Sequence, residues 1–286
     1  MSSTKPIRIY TVVWGSYLDW FDRALVRSLC WPKNKAALKD AKWVIYGDLD
    51  QTQQVYEIAT KLLPFHQIEF KQKKTDGTTR GRPVSCGVDL LACMMETMRK
   101  CIDEKSVMLT APPDTVFSDG SIDAMMAYAE QPGACVAVPH PRVLPDILNE
   151  LGPDPLPNDR LVSIALGKYP HRSWTTGDQA LSVNGTHIGG ISWKRLENVW
   201  AVTHRLPTVY LAQFDDEDRK FFSRPYMGVF QQYGMWDHEW PGQRLTPHQR
   251  LRTIGSSDAA FIFELTEHWK NVPTQKLVDA FRSGRS

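Results

Sequence analysis

Asp114 stands just past a short apolar run, Val107-Met-Leu-Thr110, in the segment Ala111-Pro-Pro-Asp114-Thr-Val-Phe-Ser-Asp119-Gly-Ser121. A buried strand that opens into a loop presents its acidic residue at the edge of a sheet, where ligands of α/β sheets sit. A second concentration of chemistry is Gly234-Met-Trp236-Asp237-His238-Glu239-Trp240-Pro241. Its carboxyls and imidazole, set between two indoles, offer a metal ligand and a general base. Basic residues gather in two places: Lys71, Lys73, Lys74, Arg80 and Arg82, then Arg244, His248, Arg250 and Arg252. Each is a solvated surface or a contact for a diphosphate or larger polyanion. Arg80 and Arg82 come just before the helix that feeds the Asp114 strand, which sets them at the border of the same site. Asp258, after Ser256-Ser257, is either a helix cap or a ligand. His171 and Trp174 form a further polar and aromatic pair.

The chain that must position these groups has 286 residues, a formal charge of +2 and 42% hydrophobic residues, an ordinary folded composition. No window has the ~18 uninterrupted apolar residues of a membrane-spanning helix. The start, Met1-Ser-Ser-Thr-Lys-Pro6, runs straight into a strand-like segment, so no signal peptide is expected. Five cysteines, without CxxC spacing, argue against a disulfide framework or a zinc ribbon and for a reducing cytoplasm. A pI near 8.2 is too mild to imply nucleic acid by itself. P-loop, GxGxxG, HExxH and GxSxG motifs are absent.

Apolar runs rich in β-branched residues predict strands at 7–14, 42–46, 66–70, 106–110 and 134–138. Helical spacing predicts helices at 17–31, 51–63, 85–103 and 121–130, the last capped by Ser121. Strands separated by helices imply a mainly parallel α/β sheet with right-handed crossovers. Ligands of such sheets sit at the carboxyl ends of the strands, which selects Trp14, Asp48 and the loop from Pro112 to Asp114. The rest, rich in Pro, Trp and His, is less regular. A single domain is expected, with residues 1–140 as one half and 141–286 as the other.

At Pro112-Pro-Asp114-Thr-Val-Phe117 the chain resembles the DxD-bearing segment of glycosyltransferases with the GT-A fold, where the strand ends Asp-x-Asp and is often followed by Thr-x-Phe. The whole segment through Ser121 is similar to that of a set of bacterial and phage GT-A-like proteins of about this length. The resemblance implies a GT-A-like, Rossmann-type mixed sheet flanked by helices. It also implies a metal-assisted glycosyltransferase, a hexosyl- or pentosyltransferase, acting on a nucleotide-sugar donor such as a UDP-sugar. The carboxylates of that motif hold Mn²⁺ or Mg²⁺, which neutralises the leaving diphosphate. Pro112 occupies the first Asp position and cannot ligate, so Asp114 remains as the metal anchor; Asp119 reads as a substitute ligand or as a capping residue.

By position in such enzymes, Thr11, Val13, Trp14 and Tyr17 at the end of the first strand hold the base and ribose, with Trp14 either stacking on the base or filling the core. Asp48, or else Asp50, binds the base unless it is only a turn residue. A His from the C-terminal half often adds a ligand, which points to His238 and then His204. Asp237 or Glu239 would be the base of an inverting transfer, and Trp236 or Trp240 a sugar platform. The acceptor is a cell-envelope saccharide or a hydroxymethylated base of phage DNA, in which case the protein serves DNA modification. The rival is a non-catalytic nucleotide-sugar or glycan binding module on a glycosyltransferase scaffold, which Pro112 favours.

Overall fold

The computed structural model of the chain describes residues 5–72, 78–79, 82–83, 86–129, 135–138, 140–169, 182–183, 186–187, 192–196, 199–203, 209–223, 250–254 and 256–266. Strand β1 (Ile7–Val13) is buried along its length and lies between β2 (Lys42–Gly47) and β4 (Val107–Thr110), parallel to both. Beyond β2 lies β3 (Ile68–Gln72), again parallel. On the other side β4 pairs antiparallel with β8 (Tyr210–Ala212), which pairs antiparallel with β6 (Cys135–Ala137), and β9 (Leu251–Thr253) closes the sheet parallel to β6. The order β3-β2-β1-β4-β8-β6-β9 is the expected mixed, mainly parallel α/β sheet.

Strict alternation makes this sheet the middle layer. Ile9, Val13, Trp43, Ile45 and Leu109 point into one apolar cluster with Phe21, Leu25 and Leu29 of helix α1 (17–29), Val55 of α3 (Thr52–Ala59) and Ile122 of α5 (Ser121–Tyr128). Tyr10, Val12, Val44, Tyr46 and Met108 point the other way, against Met94 and Met98 of α4 (Cys86–Glu104) and Phe221 of α7 (Asp216–Phe222). Cys93 and Cys101 lie in that second core as small apolar groups. The predicted elements start and stop within a few residues of the observed ones. Gly47 closes β2 because a Cβ there would lie 2.9 Å from the Val13 carbonyl oxygen and 3.0 Å from the Phe70 ring.

After β4 the chain leaves the main sheet. Pro112 and Pro113 offer no N–H to a ladder, and β5 (Thr115–Phe117) joins a second, three-stranded sheet. There β10 (Ile262–Leu265) pairs antiparallel with β5 and parallel with β7 (Arg142–Val143). Val116, Val143, Phe263 and Leu265 cover a third apolar cluster with Leu161 and Val162 of α6 (Asn158–Gly167). The hydrogen bond from the Leu265 amide to the Asp114 carbonyl, 2.7 Å, carries the β5–β10 ladder back to the exit of β4.

A polar knot fixes β5 on its other side. Asn34 in helix α2 (Pro32–Leu38) has no exposed surface. Its side-chain amide donates to the carbonyls of Ser28 and Ser118 and accepts from the amides of Gly120 and Ile122. Asp119 accepts from the amides of Lys33 and Asn34 at 2.8 and 3.2 Å. It is therefore a capping residue, for α2 rather than for the helix that follows it. Ser121 is not the cap of α5. Gly120, at φ 96°, takes that position, and the Ser121 hydroxyl bonds Ser118 instead. Replacing Asn34 with Ala removes four hydrogen bonds and takes the side-chain acceptor from the Gly120 and Ile122 amides, while the Ser28 and Ser118 carbonyls keep the Trp31 and Ser121 amides. Urea unfolding should show about 2–4 kcal/mol of lost stability, far beyond an exposed substitution.

Candidate functional site

Three neighbouring parallel strands, β2, β1 and β4, end on the same edge of the main sheet. Asp48, Trp14 and Asp114 therefore lie along that edge. Trp14 and Tyr17 are half-buried, their ring centroids 4.9 Å apart, and Trp20 meets Tyr17 edge-on at 5.3 Å. This aromatic row leaves β1 at the turn made by the Tyr17 amide on the Trp14 carbonyl.

The other two residues expected at the end of β1 turn inward. The Thr11 hydroxyl donates to the Ala111 carbonyl and accepts from the Trp43 indole, both at 2.9 Å. Val13 has no exposed surface. Both are parts of the core, because alternation along a central strand aims them at the layers and not at the sheet edge. Asp48 ends β2 half-buried, its carbonyl accepting from the Gln51 amide at 3.1 Å, while Asp50 is exposed.

Asp114 is not the exposed loop acid that its sequence neighbours suggest. It is half-buried. Loss of water and then the nearby charge of Glu264 push its carboxyl pKa well above the usual carboxylate range, against weaker opposition from its own backbone and from Arg142. Strand pairing explains the company. Glu264 lies directly opposite Thr115 on β5 and opposite Arg142 on β7, so the three side chains share a face. One pair further along, the same face carries Phe117 and Ile262 into the first core. His140, almost fully buried, puts Nε2 3.5 Å from the Glu264 carboxylate, and Arg142 Nε stands 3.7 Å from it. Thr115 has no exposed surface, and its hydroxyl oxygen has no hydrogen-bond partner among the described residues.

Asp114 and Glu264 offer carboxylate oxygen of the kind a hard divalent cation takes, while the His140 imidazole and the Arg142 guanidinium face Glu264. Among the described residues no group of three or more His, Cys, Asp and Glu is placed to hold a metal by itself. A cation here therefore needs oxygen from its substrate or from water. Sequence reasoning gave no role to Glu264, Thr115, His140 or Arg142. The available signal was an acid inside an otherwise buried run, Phe261-Ile-Phe-Glu264-Leu.

The remaining expectations separate cleanly. Asp258 is exposed and lines a different hollow of about 700 Å³ with Lys33, Asp119, Asp123 and Asp159. Lys71 is engaged by Glu69 and Glu96. Arg250 is tied to the fully buried Asp218 at 3.0 Å, next to that residue's capping box with Asp215. Neither cation is left for a polyanion. Arg82 is described only as part of a two-residue strand. Arg80, His171, Trp174, His204, Trp236, Asp237, His238, Glu239 and Trp240 lie outside the described residues. No helix among the described residues is long and apolar enough to cross a membrane.

No known protein family matches the chain, and no curated protein matches it. Among solved structures, GalNAc-T7 with UDP, GalNAc and Mn²⁺ overlaps it with a TM-score of 0.46 and 9% identity, over 98% of this chain and 48% of that one. The chain thus spans about half the length of that neighbour. The 4-diphosphocytidyl-2C-methyl-D-erythritol synthase of Anaerococcus prevotii overlaps with a TM-score of 0.41 and 10% identity, over 100% and 98% of the two chains. Overlaps this loose say nothing of what the present chain binds.

The strained Asp114 carboxyl makes a measurable difference without metal. Its proton is held more tightly folded than unfolded, so the residue leaves stability untouched below the unfolded pKa and lowers it as the pH rises. In EDTA, Asp114→Asn should match or exceed the wild-type melting temperature near pH 7, with the advantage vanishing toward pH 4. A variant that melts lower at every pH contradicts this.

Proposed function

We propose that this protein transfers a sugar from a nucleotide-diphosphate sugar, a UDP-sugar in the first instance, to a hydroxyl acceptor. The observation that carries the reading is the position of Asp114. It follows the central strand β4 at the ligand-binding edge of a mainly parallel sheet, beside a second carboxylate and on the same edge as the aromatic end of β1. In this reading residues 1–140 contain most of the donor site and residues 141–286 hold the acceptor.

Trp14 presents a ring face to the base with Tyr17 packed behind it, and Asp48 contacts the base or ribose. Asp114 holds Mn²⁺ or Mg²⁺, which when bound withdraws charge from the departing diphosphate. Arg80 and Arg82 border the diphosphate. His238 or His204 adds a ligand, and Asp237 or Glu239 takes the proton from the acceptor hydroxyl. The buried free thiols of Cys93, Cys101 and Cys135 support a reducing, cytoplasmic setting. Of the two acceptor classes, the saccharide is favoured over a DNA base, because Lys71 and Arg250 are held in ion pairs.

Incubation with Mn²⁺ and a panel of UDP-, GDP- and CMP-sugars should reveal hydrolysis of one donor. Asp114→Asn should lower that turnover by about two orders of magnitude. Trp14→Ala should weaken nucleotide binding up to about tenfold, the worth of one aromatic stack. Neither binding nor turnover with any donor overturns the reading. Binding without turnover favours a non-catalytic module, and retention of DNA on heparin-like low-salt columns would restore the DNA acceptor.

A further inference from the structure

Arg142 is held at one end and left open at the other. Its backbone belongs to β7, paired parallel with β10 opposite Glu264, which in turn lies opposite Thr115 on β5. Two strand spacings, about 10 Å, therefore separate its backbone from that of Thr115. Its charge is felt at Asp114, where it opposes the rise of the carboxyl pKa. The arginine thus belongs to the face that meets the exit of β4.

The guanidinium has no hydrogen-bond acceptor among the described residues. Nε stands 3.7 Å from the Glu264 carboxylate, an ion-pair distance too long for a hydrogen bond. Arg8, Arg27, Arg219 and Arg250, by contrast, each donate to a carboxylate or carbonyl oxygen of the protein. At 40% exposed, the Arg142 side chain has given up over half of its contact with water, yet enough surface remains for a ligand to reach. Withdrawing a charged donor from water without supplying an acceptor is unfavourable. A purely structural role, balancing Glu264, explains the ion pair but not a geometry in which no N–H reaches an oxygen. Glu264 also has the His140 imidazole at 3.5 Å.

The planar fork of a guanidinium matches the oxygens of a phosphate or a carboxylate, and charge-assisted bonds of this kind are among the strongest a side chain makes. We propose that Arg142 is an oxyanion contact at this edge, taking a phosphate group of the ligand on its terminal N–H groups while Nε stays toward Glu264. The choice of phosphate over carboxylate rests on the transferase reading above, since a nucleotide donor carries phosphate. Two sources present the same chemistry: the diphosphate of the donor, or a phosphate ester on a sugar acceptor.

Calorimetric titration of the full chain with uridine, UDP and glucose 6-phosphate in Mg²⁺ buffer tests this, with a thermal melt of each variant. Arg142→Gln should weaken binding of a phosphate ligand by at least about tenfold, the low end for a hydrogen bond to a charged group. Affinity for uridine, which has no phosphate, should not change. Arg142→Lys should recover only part of the loss, because an ammonium keeps the charge and loses the fork. A loss with UDP assigns the contact to the donor, and a loss with glucose 6-phosphate alone assigns it to the acceptor. If Arg142→Gln does not fold, Arg142→Lys decides, and it should still fall short of wild type.

Wild-type affinity for both phosphate ligands in the variants overturns the contact and leaves the donor reading intact. A lowered melting temperature with unchanged phosphate affinity does the same and makes Arg142 a partner of Glu264 only. Binding of glucose 6-phosphate through Arg142, with no affinity for UDP, upholds the contact and removes the donor reading. A wild-type chain that binds neither ligand overturns both.

Discussion

One backbone hydrogen bond, from the Leu265 amide to the Asp114 carbonyl, joins the three-stranded sheet to the exit of the main sheet at its most consequential point. The β4 strand does not continue in the main sheet, because two prolines in succession offer no donor and the Thr115 amide closes a turn on the Pro112 carbonyl. The chain must therefore be caught elsewhere. The β10 strand catches it and pairs with the next three residues. Everything proposed for the site depends on that capture, because it sets the Asp114 carboxyl against Glu264 and removes it from bulk water. The Asn34 knot secures the same short strand from behind by gripping Ser118 and the turn after it.

The arrangement shows how two acids come to share a small space. Alone, an acid at a strand end would be solvated and ordinary. Here an apolar layer continues under the polar face, since Phe117 and Ile262 follow Thr115 and Glu264 along the same two strands. Loss of water raises the cost of charge on the Asp114 carboxyl, and the charge of Glu264 adds to it. Arg142 offsets part of that cost.

Much of the main sheet was legible in the sequence. Ile7–Val13, Lys42–Gly47 and Val107–Thr110 are continuous apolar, β-branched runs, and the intervening helices have clear spacing. Burial on both faces of a parallel sheet produces such runs. The second sheet was not legible. Thr115–Phe117 and Arg142–Val143 are too short to show a period, and nearby prolines, Pro112 and Pro113 before the first and Pro141 and Pro145 around the second, make them look like loops. The polar roles were harder still. Thr11 and Val13 looked like strand-end ligands until alternation put them in the layers, and Arg250 looked like a surface cation until Asp218 appeared beside it. Glu264 was missed because its partners, Asp114 and His140, are far away in sequence. Only topology brings them together.

The pairing of β10 with β5 and β7 has a consequence for how the molecule comes into being. Contacts of such long sequence separation close late, because the entropy of a large loop must be lost before they form. During synthesis the first 140 residues emerge with the strands β1, β2, β3 and β4 available to pair, yet the acid at the exit of β4 has no neighbour until residue 265 has left the ribosome. The nascent chain can thus assemble its scaffold early while the reactive corner stays unfinished, so neither half is expected to act as an autonomous unit.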